Sequence, residues 1–262
     1  MSTLSYAVAD SATMLRRQVR HMLRYASVTV FLIGMPIVFL LLFVYVLGST
    51  LGNGLGGPAG GRAEYLEYVV PGILLMAVAA GGTGTAISVA MDMTEGIIAR
   101  FRTMAIFRPS VLTGHVLGSM IQTMLSLAVV TGVALGIGFR PNASPLEWVA
   151  TVGVLAGITL ALTWLCVAFG LVTKTVEAAS NLPTPLVFLP FLGSGFVPTD
   201  SMPAGMRWFA EHQPFTPIME TLRGLLMGTP IGDSGVIAVA WCAVIALCGY
   251  LWARDLYERR ST

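Results

Sequence analysis

Charge is scarce in this 262-residue chain: Asp, Glu, Lys and Arg make up 11% of it, against roughly 25% in an average soluble domain. With 55% hydrophobic residues and a mean hydropathy of +0.79, an ordinary soluble enzyme is excluded and an integral membrane protein expected. The three cysteines, Cys166, Cys242 and Cys248, all fall in apolar runs. They have neither metal-ligand spacing nor a disulfide framework. His21, His115 and His212 are too far apart in sequence to point to a metal site or a nucleophilic triad. "GLVTKT" at 170–175 lacks the glycine that a phosphate loop places before its lysine, because Thr173 stands there. Gly52-x-Gly54-x-x-Gly57 has dinucleotide-fingerprint spacing without the βαβ context that gives it meaning. The apolar runs contain almost no ionisable residues; His115 lies near the end of one and Glu177 borders another. That argues against a pump built on intramembrane carboxylates, so energy would have to come from elsewhere. No cleavable signal peptide is expected at the N-terminus.

What is present is a set of six apolar runs of about 20 residues or more, the length that spans a bilayer. They cover 28–48, 69–91, 111–139, 148–173, 178–199 and 234–253. The fifth carries Pro183, Pro185, Pro190 and Pro198, so it is expected to be kinked or broken. With the N-terminus in the cytoplasm, 11 of the 15 Lys and Arg residues fall on the inner side and 4 on the outer. The outer four are Arg62, Arg140, Arg207 and Arg223. Both termini are therefore expected inside, which an even number of spans permits. The chain divides into residues 1–27, a transmembrane domain over 28–253, and a tail over 254–262.

Residues 12–26, "ATMLRRQVRHMLRYA", place Leu15, Val19, Met22, Leu23 and Ala26 on one helical stripe. Arg16, Arg17, Arg20, His21 and Arg24 take the other face, the pattern of an interfacial helix on an anionic leaflet. Between the second and third runs, "MDMTEGIIARFRTM" mixes acids, arginines and apolar residues. Asp92 and Glu95 have the spacing of a capping box. Ile97, Ile98, Phe101, Met104 and Ala105 share an arc of about 120°, while Glu95, Arg100 and Arg102 lie outside it. A short interfacial helix is expected, with its charges facing the cytosol as a docking element for a soluble partner. "TKTVEAAS" at 173–180, with Lys174 and Glu177, is a smaller candidate for the same side. In the long outer segment 200–233, Ser201 and Pro203 suit a helix start and Gly228 a helix stop. Two short helices are expected there. Gly114/Gly118 and Gly132/Gly136 are spaced for close helix packing, within the chain or across a dimer.

The run "DMTEGIIARFRTMAIFRPSVLTGHVLG" resembles the cytoplasmic loop of ABC-2 type transporter permeases, especially the daunorubicin-resistance exporters of actinobacteria. The run "PFLGSGFVPTDSMPAGMRWFAEHQPFTPIMETLRG" resembles that family's signature ahead of its last span. Both occur in the family's order, and the likeness covers essentially the whole chain. The resemblance implies an all-α membrane protein of six spans and a division of labour. Two permease chains, identical or different, pair in the bacterial plasma membrane, each on a separate P-loop ATPase that binds ATP and Mg. The chain itself would hold no cofactor or metal and catalyse nothing. The segment between spans two and three becomes the coupling helix, with Asp92, Glu95, Gly96, Arg100, Phe101 and Arg102 at the ATPase contact and Lys174 and Glu177 at a second contact. The N-terminal helix, with Arg16, Arg17, Arg20 and Arg24, becomes the connecting helix. Residues 200–228 become outer re-entrant helices, with Pro198, Met202, Pro203, Pro214, Glu220 and Arg223 in that region.

The function so implied is ATP-driven export of hydrophobic or amphipathic compounds, drugs or antibiotics, by alternating access. A lipid, glycolipid or polysaccharide exporter is the alternative within the class. A membrane-embedded enzyme or scaffold is the alternative outside it, and would need a polar catalytic cluster at one depth. Membrane lipids are expected partners and nucleic acid is not.

Overall fold

The computed structural model describes residues 26–54, 61–95 and 109–259. The interfacial helix expected over 12–26, the residues Gly96, Arg100, Phe101 and Arg102, and the Gly-rich stretch 55–60 lie outside these, save Ala26. Among the described residues the chain is helical, with no strand.

Five helices are long and apolar enough to cross a membrane. The first passage is composite: α1 (Ala26–Leu42) runs through Pro36 into a π-helical stretch, Phe43–Leu47, and then α2 (Gly48–Gly54). The others are α3 (Arg62–Thr94), α4 (Pro109–Gly136), α5 (Pro145–Val172) and α10 (Ser234–Arg259). Between the last two lie α6 (Val176–Asn181), α7 (Thr184–Phe188), a 3₁₀ turn at Leu189–Leu192, another at Thr199–Ser201, α8 (Ala204–His212) and α9 (Phe215–Met227).

α3 is the central helix, buried without interruption from Val69 to Ala79. It packs on α4 and α5, and α5 packs on α10. α1 and α10 lie outermost. Val30 and Val46 are each 67% exposed and Val236 is 77% exposed, as expected of apolar helices that face lipid or another apolar surface. Small residues set the spacing. A Cβ on Gly170 would meet the Ala86 carbonyl at 2.6 Å, and one on Gly249 the Leu165 amide nitrogen at 2.7 Å. Gly132 and Gly136, expected at a packing seam, face open space within the chain. Their side of α4 is exposed.

α3 and α4 are antiparallel, but α5 and α10 run parallel: Gly157 lies beside Cys242, Gly249 beside Leu165, and Phe169 beside Trp252. The chain between them must therefore travel back along the bundle. It does so in pieces. The expected fifth span, 178–199, is no single helix, because Pro183, Pro185 and Pro190 remove amide donors and bias the preceding residues away from helix. The bundle thus has a near end, where Thr94, Pro109, Val172 and Arg259 lie, and a far end with Arg62, Gly136, Pro145 and Ser234.

The helix ends sharpen the sequence reading. The expected capping box at Asp92 and Glu95 does not form: α3 continues through Asp92, and Glu95 is its C-cap, donating its backbone N–H to the Met91 carbonyl at 2.9 Å. A capping box forms instead at the start of α5. There Ser144 Oγ accepts from Glu147 N at 3.4 Å, and Glu147 Oε2 accepts from Ser144 N at 2.6 Å. Gly228 stops α9 in the left-handed conformation, φ +66°, as expected. Pro203 precedes α8, while Ser201 closes the turn before it through an Oγ bond to the Pro198 carbonyl at 2.7 Å. The tail expected from 254 is helical as far as Arg259, supported by Arg254–Glu258 and Arg259–Asp255 pairs one turn apart.

Candidate functional site

Among the described residues, a polar assembly interrupts this apolar bundle at each end. At the near end, Gly81, Thr85, Ser88 and Asp92 recur every three or four residues on α3, within an arc of about 60°. Facing them on α4 stand His115, Ser119, Thr123 and Ser126. Thr85 and Ser119 share a hydrogen bond between hydroxyls. Thr123 packs against Gly81, where a Cβ would collide with its hydroxyl. His115 Nε2 lies 3.0 Å from Asp92 Oδ2 and His115 Nδ1 lies 3.5 Å from Ser88 Oγ. An ionised carboxylate only accepts, so Nε2–H donates to Asp92; in the neutral ring Nδ1 then accepts from the Ser88 hydroxyl. The pair is buried, with side-chain exposures of 4% for His115 and 10% for Asp92.

This corrects the sequence reading of Asp92. Asp92 does not stand on an exposed docking face but inside the α3–α4 packing. Asp92 lies one residue beyond the second run, and its place in the packing sets it beside His115, the histidine noted near the end of the third. Sequence separation hid the pair, since the two residues are 23 positions apart. The signal was there in the polar stripes 81/85/88/92 and 115/119/123/126, each at helical period on an otherwise apolar helix.

Glu95, next along the chain, is exposed at the same end. So are Lys174 and Glu177, at the start of α6, which packs on α3. Thr175 caps α6 by accepting from Ala178 N at 3.2 Å. The structure therefore gathers Asp92, Glu95, Lys174 and Glu177 at one end of the bundle, with Asp92 alone among them buried.

At the far end, the broken run 178–199 exposes carbonyls that a continuous helix would have satisfied internally. Such backbone is tolerated in apolar surroundings only where protein groups re-satisfy it. Three side chains do so. Gln213 Nε2 donates to the Leu189 carbonyl at 3.1 Å, and Tyr65 Oη donates to the Phe196 carbonyl at 3.3 Å. Arg223 Nη2 donates to the Ser194 carbonyl at 2.7 Å and to the Tyr68 carbonyl at 3.3 Å. The guanidinium lies 3.9 Å from the Tyr68 ring centroid. Burial lowers the Arg223 pKa, but a guanidinium keeps its proton under any ordinary condition.

Close backbone contact completes the dock: a Cβ on Gly72 would lie 2.7 Å from the Gly195 carbonyl oxygen. Phe191 and Phe196 stack at 4.3 Å, and Phe43, where the π-helical stretch of the first passage begins, sits 4.7 Å from Phe196. Of the other residues expected here, Pro198 precedes the 3₁₀ turn, Met202 follows it, Pro203 and Pro214 start α8 and α9, and Glu220 accepts from Ser234 Oγ at 2.9 Å. Gln213 and Tyr65 were not singled out from the sequence; a glutamine and a tyrosine in apolar surroundings carry no motif. Beside this dock, α3, α4, α5 and α9 line a partly open cavity of about 300 Å³ with mainly apolar walls that include Leu74, Met124, Leu127, Trp148 and Leu155.

The sequence model of the ABC-2 type transporter family matches residues 11–227. The chain is 27% identical over 257 residues to the daunorubicin resistance ABC transporter permease protein DrrB1 of Streptomyces coeruleorubidus, covering 97% of this chain and 88% of the relative. It is 30% identical over 246 residues to the probable doxorubicin resistance ABC transporter permease protein DrrC of Mycobacterium tuberculosis, covering 93% and 87%.

Proposed function

The chain belongs to the ABC-2 type transporter family, a multi-pass protein of the bacterial plasma membrane, and we propose that it is the membrane subunit of an ATP-driven exporter of hydrophobic or amphipathic drug-like compounds. The observation that carries this reading is the end-to-end match to permeases named for daunorubicin and doxorubicin resistance. An apolar cavity of about 300 Å³, at the lower bound of small-molecule sites, agrees with such a substrate.

In this reading the near end is cytoplasmic, the chain passes the membrane six times with the broken segment as the fifth passage, and both termini lie inside. Two such permeases pair, each on a P-loop ATPase that carries ATP and Mg. Glu95, Gly96, Arg100, Phe101 and Arg102 make the principal ATPase contact, Lys174 and Glu177 the second, and Asp92 supports them from behind. Arg16, Arg17, Arg20 and Arg24 anchor the connecting helix on the inner leaflet. The 198–228 region, with Pro198, Met202, Pro203, Pro214, Glu220 and Arg223, closes the outer end. Motion of the ATPases, passed through these contacts, opens the paired bundles alternately to either side.

The test is co-purification in mild detergent with the neighbouring gene's product. A two-plus-two complex with a P-loop ATPase that moves doxorubicin into inverted vesicles on addition of Mg-ATP is expected. A monomer with no associated ATPase would refute the reading. A complex that moves labelled phospholipid and not doxorubicin would replace the substrate class.

A further inference from the structure

We infer that Asp92 and His115 form a positioning latch, which ties the end of α3 to the start of α4 so that force applied to either helix is passed to both. The two residues flank the chain segment that leads out of α3 and back into α4. Their hydrogen bond, 3.0 Å from Nε2 to Oδ2, is a direct side-chain link between these helix ends. It is set among apolar groups: Val89, Leu112 and Val116 pack with Val167 and Leu171 of α5. In such low-dielectric surroundings a hydrogen bond is strengthened and a broken one is costly. Simple packing gives no reason for the pair, because replacing both partners of a buried hydrogen bond by apolar groups of similar shape can be nearly neutral or stabilising. What an apolar contact cannot supply is direction. His115 Nε2 and Nδ1 meet Asp92 and Ser88, one turn apart on α3, which fixes both the axial register and the rotation of α4. The hydroxyl pair Thr85–Ser119 repeats the restraint one turn further in. The seam thus makes α3 and α4 a single lever whose handle is the near end.

This inference deepens the proposed function and, for its second readout, rests on it. The full chain is reconstituted in nanodiscs, with the native cysteines replaced by alanine and spin labels attached through Thr94→Cys and Ser110→Cys. The parent should give one narrow distance, unchanged by Mg-ATP when the ATPase is bound. Asp92→Ala and His115→Ala should broaden or shift it. In the complex they should also lower ATP hydrolysis by roughly 2- to 30-fold, the range of coupling changes seen along such networks. Asp92→Asn, which still accepts from Nε2–H, and His115→Gln, which still donates to Asp92, should restore both readouts. A parent-like distance and rate in the alanine variants overturns the latch. So does failure of both conservative variants to rescue. If the alanine variants do not insert, the apolar double variant D92L/H115L decides: monodisperse protein with a broadened distance supports the latch, and a parent-like distance removes it. If no ATPase binds the parent, the proposed function falls, while the distance measured on the chain alone still tests the latch.

Discussion

The two ends of the bundle put polar groups into apolar surroundings in opposite ways. At the near end, side chain meets side chain between two intact helices, and nothing in the backbone requires it. At the far end, side chain meets backbone: Arg223, Gln213 and Tyr65 satisfy carbonyls that the broken run leaves without a helical donor. The far end is therefore an obligation of the fold. The near end is an addition to it, which is why it is the better place to look for a transmitted motion.

If that contrast holds, far-end substitutions should damage stability and near-end substitutions should damage coupling. The largest stability loss is expected for Arg223→Met, which removes charged donors from two carbonyls. A loss of about 3 kcal/mol or more follows, seen as a collapsed melting temperature in fluorescence-detected size exclusion. Gly72→Ala comes next: its Cβ would press on the Gly195 carbonyl, an overpacking cost of roughly 1–3 kcal/mol in the same assay. Gln213→Ala should cost about 1–2 kcal/mol by leaving the Leu189 carbonyl unpaired. Ser144→Ala, which removes the exposed cap of α5, should lower the melting temperature by less than any of these. At the bottom of the stability order stands the D92L/H115L pair, expected to melt at or above the parent temperature yet to lose coupling between ATP hydrolysis and transport. A melting temperature that falls as far for this pair as for Arg223→Met would erase the distinction between the ends.

The spans were legible because their signal is local. Twenty apolar residues state a crossing whatever their neighbours are. The run 148–173 and the helix Pro145–Val172 agree within three residues at either boundary. Gly228 was legible because a left-handed stop needs almost nothing but glycine. The capping box misled at Asp92 because the same Asp-x-x-Glu spacing also occurs inside a helix; whether Asp92 ends one or continues one depends on what α4 offers it. Gly132 and Gly136 find no partner within the chain, since small-residue spacing permits an approach without naming what approaches.

The sequence by itself determined which stretches must leave water, that the proline-rich run 178–199 must break, and that the chain resembles an ABC-2 type permease. These follow from hydropathy, from proline's missing donor and from motif order, all properties of neighbouring residues. Only the tertiary structure decided that Asp92 faces His115 and that Arg223, Gln213 and Tyr65 capture the freed carbonyls. Those pairings join residues up to 131 positions apart, and their partners are chosen by how the helices pack.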